Sequence, residues 1–149
     1  MLEPVEVRAA TAGDIPQLAE TAAASYHEAF KLLLAEAALT MRDRAYFERR
    51  FRENLDKLSV AGRSGEVCGF TMITAHNIDM FFVAPAAQGT GVGRAMIEHA
   101  EARGAKTLEC FAGNAPARAF YERHGWTLDQ SYARDYEGSA MSFVTYERL

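Results

Sequence analysis

The sequence predicts an α+β domain built around one mixed sheet. Stretches in which apolar and polar residues alternate, as in strands, are interspersed with stretches in which apolar residues recur every three or four positions, as in helices. Their order is strand, two helices, three strands, helix, strand, helix and two strands. The 149 residues show no linker, repeat or break in composition, so we expect a single domain covering 1–149.

The predicted elements of the N-terminal half begin with a strand over residues 5–9. Two helix start signals follow, each a threonine with an aspartate three residues later: Thr11 with Asp14, and Thr40 with Asp43. A loop is expected between the two helices, near residues 35–40. Three strands come next, at residues 58–61, 67–75 and 78–83.

The C-terminal half alternates between helices and strands. A glycine-rich segment opens a helix that ends near residue 103, where Gly104 supplies the C-terminal glycine signal. A strand over 107–111 leads into a helix over 115–124, which Gly125 closes. Two further strands complete the domain, over residues 128–132 and 142–146.

The charge and composition argue against several classes of protein. With 16 lysines and arginines against 20 aspartates and glutamates, the net charge is −4, which disfavours nucleic acid as a partner. No apolar run reaches the roughly 18–20 residues that span a bilayer, and the early residues are too acidic for a leader peptide. We therefore expect a cytoplasmic protein that does not bind membranes. Cys68 and Cys110 are expected to be reduced and buried, and no histidine or cysteine spacing indicates a metal site.

The most informative segment lies directly between a predicted strand and a predicted helix. It consists of Gln88, Gly89, Thr90, Gly91, Val92, Gly93 and Arg94. Glycines permit a tight bend and the close approach of a ligand, and a helix N-terminus presents free N–H groups and a partial positive charge. The segment is suited to a phosphate or diphosphate. A glycine-rich turn without a ligand is the alternative.

Two common nucleotide-binding motifs do not fit this segment. The dinucleotide fingerprint needs a glycine where Met96 stands, and it belongs to the first strand–helix unit of its fold. The G-x-x-x-x-G-K-[ST] loop fails because no lysine followed by serine or threonine is present. What does fit is Q-x-x-G-x-G after a strand that ends in Val-x-Pro, here Val83 to Pro85.

In these residues the sequence resembles the GNAT acetyltransferase superfamily, whose acyl-coenzyme A motif is a strand, Val-x-Pro and then Q/R-x-x-G-x-G/A at a helix start. A second family motif is an asparagine followed by a helix with a tyrosine and a closing glycine–aromatic pair. It matches Asn114, Tyr121, Gly125 and Trp126. The resemblance implies the GNAT fold, with a mostly antiparallel central sheet flanked by helices, and acetyl-CoA as cosubstrate.

The resemblance also implies how the cofactor is held. The main-chain groups expected to pair with the pantetheine, as an added strand does, are those of Phe81, Phe82 and Val83. The N–H groups of Gly89 to Arg94 would hold the diphosphate, and Gln88 is a further cofactor-binding residue of the motif. Asn114 would bond to coenzyme A, although asparagine is also a preferred helix cap. Many relatives carry a basic residue two positions after the asparagine; Pro116 stands there in this chain, so Arg118 is the candidate to replace it.

Acyl transfer to an amine needs a neutral amine, a stabilised oxyanion and a proton for the departing thiolate. The resemblance gives Tyr121 the role of proton donor, and a phenol is protonated at neutral pH; packing on the sheet is the alternative. Two carboxylates are candidates for the general base, Glu109 and Asp79. Alternation places Asp79 on the face of Phe81 and Val83. The sequence is equally compatible with two solvated or ion-paired carboxylates in an enzyme that has no dedicated base.

These observations lead to one functional prediction and three alternatives. We expect an acetyl-CoA-dependent N-acetyltransferase that moves the acetyl group to a primary amine, on a small molecule or a protein N-terminus, by direct attack. The alternatives are an enzyme of this fold that uses another acyl group, a non-catalytic acyl-CoA-binding or sensing module and, less favoured by the motifs, a nucleotide-phosphate-binding protein. The acceptor and the oligomeric state, including a homodimer, are left open.

Overall fold

The computed structural model describes residues 3–149. The strands are β1 (Glu6–Ala9), β2 (Leu58–Arg63), β3 (Glu66–Thr74), β4 (Asn77–Val83), β5 (Thr107–Phe111), β6 (Thr127–Tyr136) and β7 (Ser139–Glu147). The α-helices are α1 (Ile15–Phe30), α2 (Glu36–Met41), α3 (Arg44–Glu53), α4 (Val92–Ala102) and α5 (Ala115–Arg123). Within the described range, no helix combines the length and apolar character that crossing a bilayer requires.

The seven strands form one sheet in the order β1-β2-β3-β4-β5-β7-β6. Every neighbouring pair is antiparallel except β4 and β5, which are parallel. The sheet is therefore mixed and mostly antiparallel, which confirms the predicted fold class. A parallel pair needs a crossover connection, and α4 provides it.

Helices cover both faces of the sheet, which we call the α1 face and the α4 face. On the α1 face, helices α1 to α3 and the sheet bury a large apolar core that includes Leu18, Phe51 and Phe70. On the α4 face, α4 and α5 bury a second cluster that includes Ile97 and Tyr121. Burial of these apolar side chains is the main favourable contribution to folding.

The loop predicted near residues 35–40 is wrong, because helix α2 occupies most of it. This segment is rich in alanine and leucine, which favour helix. The Thr40 hydroxyl donates to the Glu36 carbonyl one turn earlier, so Thr40 lies inside α2 and does not begin α3. Asp43 caps α3 instead, since its carboxylate accepts the Tyr46 N–H at 2.9 Å.

Strands β6 and β7 are longer than the sequence predicts and form a hairpin with a two-residue turn. The turn residues, Glu137 and Gly138, have φ angles of +49° and +86°. Two positive φ angles in succession match the right-handed twist of the flanking strands. β6 lies at the edge of the sheet with most of its side chains exposed. Its apolar alternation is therefore weak, which explains why only part of the strand is visible in the sequence.

Candidate active site

The candidate site lies where β4 and β5 separate. These two strands pair only at Asn77 with Thr107 and at Ile78 with Leu108. Beyond those pairs the strands diverge, so the rest of β4 and β5 border a cleft in the middle of the sheet. Backbone groups along such a cleft can pair with an extended ligand as a further strand would.

A glycine loop, residues 88–91, precedes α4 near the end of β4. Gly89 and Gly91 have φ angles of +76° and +92°, which glycine adopts without strain. Gly91 is the N-cap of α4, so the first N–H groups of that helix have no acceptor within the helix. A Cβ atom at either glycine would meet no atom within 4 Å. The loop therefore combines free donors with open space, and it can hold an anion.

The first turn of α4 contains residues with different environments. A Cβ atom on Gly93 would lie 2.9 Å from the Phe120 ring, so this glycine permits α5 to pack closely against α4. Val92 is fully buried. Arg94 is exposed and forms an ion pair with Glu98 one turn later. The main-chain groups of this turn are what the helix presents to a ligand.

The β4 residues predicted to contact the cofactor direct their side chains into the two cores. Phe81 packs on Phe120 on the α4 face, with 5.4 Å between ring centroids. Phe82 stacks on Phe70 on the α1 face, at 5.2 Å. Val83 packs against the cluster beneath the start of α4. One edge of this segment pairs with β3, so the main-chain groups on its other edge are the ones that can pair with a ligand in the cleft.

Three polar residues predicted to bind coenzyme A contact the protein's own chain. Gln88 donates to a carbonyl at the end of β4 at 3.3 Å. Asn114 caps α5 by accepting the N–H three residues later at 3.4 Å, the helix-cap role considered for it from the sequence. Arg118 donates to the Ala112 carbonyl at 3.0 Å and to the Tyr146 hydroxyl at 3.1 Å. Each of these residues has a structural contact, and their roles toward the cofactor remain predictions.

Tyr121 projects from α5 onto the α4 face of the sheet, beside the cleft. Its ring centroid lies 6.0 Å from that of Phe81 on β4 and 6.0 Å from that of Tyr146 on β7, so the ring lies over the part of the sheet that contains the cleft. The residue is only 6% exposed. Burial raises the pKa of the Tyr121 phenol well above its usual value, so the phenol keeps its proton at neutral pH.

Glu109 follows the last β4–β5 pair by one residue and lies on the α1 face, the face of Phe111. Arg134 donates to its carboxylate from Nη2 at 2.6 Å and from Nε at 3.3 Å, and the Tyr132 hydroxyl also donates to it. Burial alone would raise the pKa of Glu109, but the bonds from Arg134 and Tyr132 outweigh it and hold the pKa below its usual value. An ion-paired carboxylate of this kind is a weak base.

The prediction that Asp79 shares a face with Phe81 and Val83 is wrong. The pairing of β3 with β4 shifts by one residue at this point, and Asp79 is the extra residue of a β-bulge. Its carboxylate accepts bonds from the Thr74 hydroxyl and, at 2.8 Å, from the Asn77 amide. The bulge interrupts the alternation on which the prediction depended.

A groove of about 400 Å³ lies beside Glu109, over β5 and the β6–β7 hairpin. Other residues that line it include Asn77, Thr107, Gln130, Tyr132 and Thr145. The lining includes Leu108, which belongs to the last β4–β5 pair, and Glu109, which follows it, so the groove borders the point where β4 and β5 separate.

Two contacts of the site were missed by the sequence reasoning. Arg63, at the end of β2, donates to Thr90 in the glycine loop, 27 positions away. Arg134, on β6, binds Glu109, 25 positions away. An arginine in a turn or on an exposed strand has no local feature that separates it from a solvated arginine. Both contacts follow from strand pairing, which brings distant segments together.

Comparison with known families identifies the domain. The family model described as an acetyltransferase (GNAT) domain matches residues 54–128, half of the chain. The matched segment runs from the end of α3 to the start of β6, so it contains the glycine loop and both strands of the cleft. The chain belongs to the GNAT acetyltransferase family, whose cosubstrate is acetyl-CoA.

Solved structures share this fold over nearly their whole length. The apo form of YjaB from Escherichia coli is 23% identical, with a TM-score of 0.78 and 98% of both chains covered. A GCN5-related N-acetyltransferase from Rhodopseudomonas palustris is 24% identical, with a TM-score of 0.74 and coverage of 99% of this chain and 97% of that one. The PaiA N-acetyltransferase from Thermoplasma acidophilum, in complex with coenzyme A, is 15% identical, with a TM-score of 0.71 and coverage of 97% and 99%. A search of curated protein sequences gave no match.

Proposed function

We propose that this domain transfers an acetyl group from acetyl-CoA to a primary amine by direct attack of the amine on the thioester. The observation that carries the proposal is the position of Tyr121, a buried phenol beside the cleft whose outer end is the open glycine loop. A proton donor for the leaving thiolate thus lies next to the place where an extended thioester would bind.

The cofactor is held mainly by main-chain groups in this proposal. The N–H groups of residues 89–94 bind the diphosphate at the N-terminus of α4. The pantetheine extends into the cleft and pairs with the main chain of residues 81–83 on β4. This path carries the thioester toward Tyr121.

The reaction forms one bond and breaks one. The amine nitrogen attacks the thioester carbon, and the carbonyl electron pair moves to oxygen, where a main-chain N–H of β4 stabilises the charge. The intermediate then collapses, the C–S bond breaks, and coenzyme A leaves as a thiolate. Tyr121 donates its proton to that sulfur. The nitrogen, positively charged once it has bonded to carbon, releases one proton, and this proton restores the phenol through solvent.

The raised pKa of Tyr121 is compatible with this role because the same surroundings strengthen a thiolate as a base. Cys110, on β5 beside Tyr121, shows how these surroundings affect a thiol. Burial raises the pKa of the Cys110 thiol to about 11. A thiolate that forms in the same apolar environment is equally short of solvation. The proton transfer from phenol to thiolate is therefore less unfavourable than the phenol pKa alone would indicate.

No carboxylate of the site acts as a dedicated base in this mechanism. The Glu109 carboxylate is bound by Arg134 and Tyr132, and the Asp79 carboxylate is bound by Thr74 and Asn77. We infer that the acceptor amine enters from the groove beside Glu109 and loses its proton to solvent before it attacks.

A thiol-release assay with a panel of amines tests the proposal. The panel covers amino acids, polyamines, aminoglycosides and peptides with free N-termini, each offered with acetyl-CoA. At least one amine should yield free thiol and acetylated product in equal amounts. Coenzyme A binding without thiol release from any amine would contradict catalysis and favour a binding or sensing module. Release with a longer acyl-CoA in place of acetyl-CoA would assign another acyl group.

A further inference from the structure

Arg63, the last residue of β2, makes three hydrogen bonds through its guanidinium group. Nη2 donates to the Thr90 carbonyl at 2.8 Å and Nη1 to the Thr90 hydroxyl at 2.9 Å. Nε donates to the Glu3 carbonyl at 2.7 Å. The planar guanidinium thus donates in two directions. Its two terminal nitrogens bind Thr90 of the glycine loop, and Nε binds Glu3.

The bond to the Thr90 carbonyl determines the direction of a donor in the loop. No peptide bond among the described residues is cis, so the C=O of Thr90 and the N–H of Gly91 point in opposite directions across their shared peptide plane. When Arg63 holds the carbonyl on its own side, the Gly91 N–H points away from Arg63. A Cβ on Gly91 would meet no atom within 4 Å, so there is open space beside this residue.

The loop has few other restraints. Gly89 and Gly91 flank Thr90 and carry no side chain, and glycine has the largest conformational freedom of any residue. Besides Arg63, Thr90 is held by its own N–H and hydroxyl, both of which donate to the Ala87 carbonyl, at 3.3 and 2.5 Å. These bonds lie within the loop and its preceding turn. Arg63 ties Thr90 to β2, and Gln88 ties the start of the loop to the end of β4.

We propose that Arg63 is a positioning residue for diphosphate binding: it fixes the Thr90–Gly91 peptide so that the loop donors are oriented before coenzyme A arrives. This inference rests on the proposed function, in which those donors bind the cofactor diphosphate. It assigns Arg63 no contact with the ligand. The arginine acts through Thr90, by removing the cost of ordering the loop on binding.

Two ligands separate this role from a general structural one. Coenzyme A contains the diphosphate, whereas pantetheine lacks it and occupies only the cleft. In Arg63→Ala, we expect the Kd for coenzyme A to rise roughly 10- to 100-fold, the range for loss of a hydrogen bond from a charged donor. The Kd for pantetheine should stay within about twofold of that of the unchanged protein, because the cleft does not depend on Arg63.

Arg103→Ala is the matched control. Arg103 follows α4 and donates to the Ser59 hydroxyl on β2 at 3.2 Å, so it also ties α4 to β2, but at the end of the helix away from the glycine loop. It should leave the Kd values for both ligands unchanged. Arg63→Lys keeps the charge but supplies a single donor group in place of the planar fork. It should weaken coenzyme A binding by a smaller factor than Arg63→Ala, and it serves alone if Arg63→Ala fails to fold.

The outcomes are distinct. A folded Arg63→Ala or Arg63→Lys variant that binds coenzyme A as tightly as the unchanged protein overturns the positioning role. Equal weakening of coenzyme A and pantetheine also overturns it, because the damage would then not be specific to the diphosphate. Failure of the unchanged protein to bind coenzyme A at all overturns the proposed function itself, whatever the variants do.

Discussion

Arg134 on β6 and Glu109 on β5 form an ion pair, with 2.6 Å between Nη2 and Oε1. The guanidinium carbon of Arg134 also lies 3.9 Å from the centroid of the Phe143 ring, which holds the arginine over the α1 face of the sheet. The pair joins the edge hairpin to the strand that borders the cleft. Glu109 thus lies beside the proposed reaction centre with its carboxylate already bound.

The first prediction follows from this pair and concerns the pH–rate profile. Glu109→Gln should leave the rising limb of the profile in place and lower kcat by less than tenfold. The reason is that a carboxylate whose pKa is lowered by Arg134 is ionised throughout the neutral range and is a weak base. The measurement is kcat against pH with an amine identified by the thiol-release screen.

Asp79→Asn is the companion variant, and it should also preserve the limb. Loss or displacement of the limb in Glu109→Gln would make Glu109 the base after all. The same result in Asp79→Asn would assign the role to Asp79. If both variants keep the limb, it reports the pKa of the free amine.

The second prediction concerns the leaving-group proton. Tyr121→Phe removes only a hydroxyl, so the fold and the Kd for coenzyme A should be retained. Turnover should fall by roughly 10²- to 10⁴-fold, the usual contribution of a positioned acid. Steady-state kinetics and a coenzyme A titration on the same preparation measure both quantities.

Tyr146→Phe is the control for this prediction. Tyr146 is buried in the same cluster, and its hydroxyl bonds with Arg118 and Glu122. Its removal should lower the free energy of unfolding by about 1 kcal/mol while turnover stays within a few-fold. If Tyr121→Phe keeps near-normal turnover, Tyr121 is a packing residue or thiolate release is not rate-limiting.

Local sequence signals were sufficient for the features that depend on neighbouring residues. The glycine loop between a strand and a helix is such a feature, because the backbone freedom of Gly89 and Gly91 and the start of α4 are encoded within a few positions. The mixed sheet followed from the order of the elements. Asn114 as a helix cap is equally local, since it accepts a bond from three residues later.

Features that depend on strand pairing could not be predicted. The bulge at Asp79 exists because β4 shifts against β3, and nothing within β4 itself shows the shift. The contacts of Arg63 with Thr90 and of Arg134 with Glu109 join residues that only the folded sheet brings together. These tertiary contacts determine the state of the candidate base and the restraint on the loop, which are the parts of the site that the sequence reasoning missed.

The third prediction tests the anion site. Gly91→Glu introduces a side chain and a negative charge at the N-terminus of α4, where the space in front of the loop is open. The Kd for coenzyme A should rise by at least about 100-fold, because the charge opposes the diphosphate and the left-handed φ is strained in any residue but glycine. Calorimetric titration measures the change.

Gly138→Glu is the matched control for Gly91→Glu. Gly138 also has a positive φ, +86°, and a Cβ there would also meet no atom within 4 Å, but it lies in the β6–β7 turn. Both variants should lose a similar amount of stability in thermal unfolding, and only Gly91→Glu should lose coenzyme A binding. If the two variants raised the Kd for coenzyme A equally, the glycine loop would not be the anion site.

The fourth prediction concerns stability and pH at the start of α1. Asp14 accepts two bonds from Arg8, at 2.8 and 3.0 Å, and the Thr11 N–H at 2.8 Å. The bonds from Arg8, followed by the Thr11 N–H, outweigh burial and lower the pKa of Asp14 to about 2. A carboxyl whose pKa is lower in the folded than in the unfolded protein stabilises the fold above its unfolded pKa, near 4, and this stabilisation is lost as the pH falls toward 2.

Asp14→Asn removes the charge while leaving a side chain that can still cap. At pH 7 it should lower the free energy of unfolding by about 1 kcal/mol, a value reduced for solvent screening because Arg8 is largely exposed. Near pH 2 the difference from the unchanged protein should disappear. Urea unfolding at pH 7, 4 and 2 measures it, with Asp56→Asn, an exposed aspartate just after α3, as the control. A destabilisation that is the same at all three pH values would show that Asp14 contributes through shape and hydrogen bonding and not through its charge.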